Sequence, residues 1–117
     1  MTNRIGTGDY HPHELKAALD SYLTRHRLNK LKKRERILAW LICASKLGHK
    51  VTRFDAEWVG DHCFNTTISE IFLIDGIRVE REQTKVPNRF GGFSDCKQYW
   101  LPEASRLKAE LWLGIEV

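Results

Sequence analysis

The sequence predicts a mainly α-helical domain carrying one small β-hairpin. Three observations point there. Apolar residues recur at three- and four-residue steps as far as Phe72, the spacing of helix faces. After Gly76 the pattern changes to alternation, from Ile77 to Val86 and again from Asp95 to Leu101. Between those two runs lies Pro87-Asn88-Arg89-Phe90-Gly91-Gly92, a turn cluster that suits a hairpin tip. A chain of 117 residues with 42% hydrophobic residues suits one core.

Each element has its own signals. Residues 1–11 carry Gly6 and Gly8 and little apolar periodicity, so they read as an arm. Pro12 suits a first helical position, and Leu15, Ala18, Leu19, Tyr22 and Leu23 form one stripe, giving a helix from Pro12 to about Arg27. Residues 12–33 make a basic helical extension. The next helix carries Ile37, Leu38, Trp40, Leu41, Ile42 and Ala44 toward a core, and Gly48 ends it. Lys32, Lys33, Arg34 and Arg36 crowd its start, against the helix dipole, which asks for an anion nearby. Thr52 and Asp55 have capping-box spacing for a short third helix with Phe54, Trp58 and Val59. Asn65 reads as the N-cap of a fourth, with Ile68, Ile71 and Phe72 inward and Gly76 as its stop. Pro102 opens a last helix to about Leu113, with Leu107, Leu111 and Trp112 as its apolar positions. A long helix, two short helices across a tight turn and a hairpin follow the order of a winged helix-turn-helix. That domain occupies residues 34–101, and residues 102–117 form a C-terminal helix packed on it or on a dimer partner.

Charge is concentrated. Between Thr24 and Arg53 there are ten basic residues and one acid, +9, which leaves nine bases and fourteen acids, −5, elsewhere. A local excess of this kind suits a polyanion, because each neutralised phosphate releases counterions. The longest apolar run, Ile37 to Ala44, has eight residues, whereas a membrane span needs about 20. The N-terminal stretch has no apolar signal core, and three cysteines without C-x-x-C spacing fit reduced thiols. These features lead to the expectation of a cytoplasmic protein. No Walker loop, G-x-S-x-G, H-E-x-x-H or paired-carboxylate pattern occurs, so no catalytic residue, metal ligand, cofactor or small-molecule substrate is expected.

The candidate site is therefore a nucleic-acid surface. Asn65, Thr66, Thr67 and Ser69 are short polar residues on the first turns of the second helix of the pair, the end that enters a major groove. Arg53, Lys85, Asn88, Arg89 and Lys97 would hold the DNA backbone from the helix start and the hairpin. Lys30, Lys32, Lys33, Arg34 and Arg36 form the basic segment. Leu15, Leu19, Leu23, Leu107, Leu111 and Trp112, read as exposed, suggest a homodimer. The alternative is a protein-interaction module docking its basic helices on an acidic host protein. Asp61, Glu70 and Asp75 near the reading face favour that alternative, since carboxylates repel phosphate.

A resemblance sharpens this reading. The run Gly60-Asp61-His62-Cys63-Phe64-Asn65-Thr66-Thr67-Ile68-Ser69, then Asp75-Gly76-Ile77, then Lys85 through Gly92 up to Lys97-Gln98-Tyr99-Trp100-Leu101, resembles a family of small winged helix-turn-helix proteins encoded by proteobacterial phages and prophages. The likeness covers residues 34–101. Its most specific piece is the V-P-N-R-F-G-G turn followed by the K-x-Y-W-L strand. The resemblance implies a winged helix that binds double-stranded DNA, with the Asn65 helix as reader and the Arg89 loop as wing. It implies no particular target sequence.

Overall fold

The computed structural model describes residues 12–26, 31–87 and 90–113. The expected arm at 1–11, Lys30 and the tip residues Asn88 and Arg89 lie outside them. The elements run α1 (Pro12–Arg25), α2 (Lys33–Lys46), β1 (Val51–Thr52), α3 (Arg53–Glu57), α4 (Phe64–Leu73), β2 (Glu80–Pro87), β3 (Phe93–Trp100) and α5 (Glu103–Trp112). The result is an α/β domain with a small three-stranded antiparallel sheet in the order β1-β3-β2.

Helix α2 is the centre. Its residues Ile37 to Ala44 are all buried, as expected of a helix that is apolar all round. It packs against α1, α4, α5 and β3. Leu15, Leu19 and Tyr22 of α1 enter the same core as Phe64, Ile68 and Ile71 of α4. The Phe64 ring meets Trp40 edge-on at 6.0 Å and Tyr99 at 5.0 Å, a favoured aromatic geometry that ties α4 to both helix and sheet. Gly48, at φ +72°, takes the left-handed turn after α2, and the His49 amide closes onto the Ala44 carbonyl at 2.8 Å. The Thr52–Asp55 capping box of α3 forms as its spacing predicts.

Several expectations are corrected. Leu15 and Leu19 are not exposed dimer contacts: both are fully buried within the chain, because α2 needs cover on that side. On α5 Leu111 and Trp112 are exposed as read, whereas Leu107 is half-buried and the inward positions are Ala109 and Glu110. Glu110 tolerates burial because Arg106 reaches it at 2.7 Å and Lys46 at 3.5 Å. Asn65 is not the N-cap of α4. The cap lies two residues earlier, at Cys63, where the Asp61 carboxylate accepts the Cys63 amide at 3.0 Å. The third strand, β1, was not foreseen. Two residues carry no periodicity, and they become a strand only by pairing Val51 with Tyr99 and Thr52 with Gln98.

The crowded cations of α2 find their anions inside the molecule. Arg34 grips Asp75 with two nitrogens, at 2.9 and 3.3 Å, Lys33 reaches Asp61 at 3.3 Å, and Arg36 reaches Asp20 at 3.6 Å. Asp61 and Asp75 are buried, so these two acids are taken up by the cations of α2 and are not presented on an exposed surface.

Candidate functional site

The exposed face of α4 and one face of the β2–β3 hairpin enclose an open groove. Its parity follows from the strand register. Arg81 pairs with Tyr99, Gln83 with Lys97 and Lys85 with Asp95, and residues two apart share a face. The intervening positions point to the other face, where Glu82 accepts from Lys50 at 2.9 Å and from Gln98. The hairpin thus places cations toward α4 and puts the Lys50–Glu82–Gln98 cluster on its back.

One cleft of about 410 Å³ is lined by Arg53, Asn65, Ser69, Arg81, Gln83 and Lys97, with Ile68, Cys96 and Tyr99 as its apolar base. Asp95 is the carboxylate in that lining, and Lys85 holds it at 3.2 Å. A second cleft of about 410 Å³ shares Ile68, Ser69 and Arg81 and continues along α4 past Phe72 to Arg78. Together they form one trough beside the helix, with three cations, Arg53, Arg81 and Lys97, near its upper end. Arg53 lies over the Phe54 ring at 4.9 Å, a stacking that orients a guanidinium without removing its charge.

Tyr99 organises the base of the trough. Burial pushes its phenol up, while Arg81 and Arg53 oppose that shift, so the hydroxyl stays protonated and donates. It donates to the Asn65 amide oxygen at 2.9 Å.

The residues expected to read DNA divide. Asn65, Thr66 and Ser69 are exposed on α4. Thr67 is corrected: it is 1% exposed, and its hydroxyl donates back to the Cys63 carbonyl at 3.3 Å. Phe72, expected inside, is 56% exposed. With the helix starting at Phe64, the inward stripe is Phe64, Thr67, Ile68 and Ile71, and Phe72 falls beyond it. Arg53 and Lys97 line the trough, Lys85 borders it, and Lys32 is exposed at the start of α2. Lys33, Arg34 and Arg36 are the ion-paired residues described above.

Arg81, Gln83 and Tyr99 were missed as site residues. The signal was the hairpin register, which places the odd-numbered positions of both strands on one face; reading it required the pairing partner of each residue. Among the described residues no group of three or more His, Cys, Asp or Glu is placed to hold a metal, and no helix is long and apolar enough to cross a membrane. No family model, curated protein or solved structure matches the chain.

Proposed function

We propose that this chain is a winged helix-turn-helix protein that binds double-stranded DNA and acts by binding, not by catalysis. In this reading α4 lies in the major groove with Asn65, Thr66 and Ser69 toward base edges. Arg53, Arg81 and Lys97 hold the phosphates on either side, and the β2–β3 hairpin is the wing. The observation that carries it is the trough itself. Cations from three elements converge beside short polar side chains on one helix, while other cations of the basic segment are matched to acids of the same molecule. The element order and the resemblance over residues 34–101 support the same reading, including a phage-type regulatory role.

The test is a titration of random-sequence duplex at several salt concentrations. Affinity should fall with salt at a slope of about −0.9 per neutralised phosphate. The double change Arg81→Ala with Lys97→Ala should flatten that slope by about two units, whereas Arg36→Ala should leave it unchanged. Absence of duplex binding at low salt would refute the proposal. A second reading, a protein-interaction module, is favoured by the run Phe72-Leu73-Ile74, which is 56%, 77% and 61% exposed. Apolar side chains gathered in this way are characteristic of contact surfaces.

A further inference from the structure

We propose that Tyr99 sets the base preference of the trough, by clamping Asn65 so that its amide offers a donor and thereby selects guanine. The inference rests on the DNA-binding reading above. A free asparagine amide has a donor arm and an acceptor arm, and using both gives its usual bidentate pairing with adenine. Here one lone pair of the amide oxygen receives the Tyr99 hydroxyl at 2.9 Å, which fixes that oxygen against β3 and leaves the NH₂ arm as the free end for a ligand.

The clamp is rigid. Tyr99 is 4% exposed, its ring meets Phe64 edge-on at 5.0 Å, and its backbone pairs with Val51 on one side and Arg81 on the other. Asn65, one residue beyond Phe64, is therefore held by a post built into the sheet. Of the charged neighbours in the cleft, Arg53, Arg81 and Lys97 are also donors without acceptor capacity, and the carboxylate, Asp95, is held by Lys85 at 3.2 Å. A surface that presents donors matches the base edge that presents acceptors. In the major groove that edge is guanine, with N7 and O6 together, whereas adenine offers one acceptor and one donor.

Random duplexes are selected with the full-length protein and with two variants, and each variant is also melted. The parent should enrich guanine over adenine at one position by at least about fivefold, the lower end of one good base contact. Tyr99→Phe keeps the ring and removes only the hydroxyl. It should bring that ratio close to one by freeing the amide oxygen for adenine. Asn65→Asp, an exposed change that leaves Tyr99 intact, should move the preference toward cytosine, whose amino group a carboxylate accepts. A parent that enriches adenine or shows no base preference overturns the inference and leaves duplex binding standing. Tyr99→Phe folded with an undiminished guanine preference also overturns it. If Tyr99→Phe does not fold, Asn65→Asp decides: a retained guanine preference overturns the inference, and a shift to cytosine supports it. A parent that binds no duplex at low salt refutes the DNA-binding reading itself.

Discussion

Thr67 and Ser69 are two positions apart on α4, and the fold treats them oppositely. Two residues are a little over half a helical turn, so one hydroxyl turns inward to the Cys63 carbonyl and the other lines the trough. Both are small and polar, and composition alone gave them one role. What separates them is the phase of the helix, fixed by Phe64 entering the core between Trp40 and Tyr99. Phase also separates structural from recognition residues in experiment. Ile71 is fully buried, so Ile71→Ala should cost about 2–5 kcal/mol, read as a lower denaturant midpoint, with every activity falling together. Ser69→Ala should leave the melting curve in place and alter only sequence preference in duplex selection.

At the scale of elements, long helices were legible and short pairings were not. The apolar run of α2 and the Thr52–Asp55 box announce themselves because their partners lie within one helix turn. The Arg34–Asp75 pair, 41 residues apart, and the two-residue β1 have no local signature, so the basic segment looked like an exposed polyanion surface. That pair joins the start of α2 to the turn after α4. Arg34→Met should lower the melting temperature by leaving a buried carboxylate without its partner, and adding Asp75→Asn should restore part of the loss. Equal melting temperatures for the single and double variants would show the pair to be uncoupled.

The Lys50–Glu82 contact joins β2 to the chain just before β1. The Lys50 hydrogen bond, then that from Gln98, holds the Glu82 carboxyl below its ordinary range. A depressed carboxylate contributes stability above its unfolded-state pKa and loses it as pH falls through the folded value. Glu82→Gln should therefore make the acid side of the melting-temperature profile shallower and leave its form near neutrality unchanged. An identical acid limb in parent and variant would remove this contact from the account.

Across the whole molecule, the charge imbalance that seemed to divide the chain is largely reconciled by folding. Asp20, Asp61, Asp75, Glu82 and Glu110, from five separate places in the sequence, each meet a cation of the 24–53 segment. The first cleft of the trough owes its cations to one residue of that segment, Arg53, and to two from the hairpin, Arg81 and Lys97. Backbone pairing with β1 reaches the hairpin at its Tyr99 and Gln98 rungs, the end that Phe64, Asn65 and Lys50 also hold. From Gln83–Lys97 to Pro87–Phe93, five further rungs continue as a ribbon two strands wide. Such a ribbon is a cantilever. Amide hydrogen exchange should be slowest at the Arg81–Tyr99 end and quicken rung by rung toward Val86 and Ser94, since an unsupported pair opens at little free-energy cost. One wall of the trough would then be compliant where the other, α4, is stiff. If the DNA-binding proposal holds, added duplex should flatten that exchange gradient, registering its presence in the backbone of a strand.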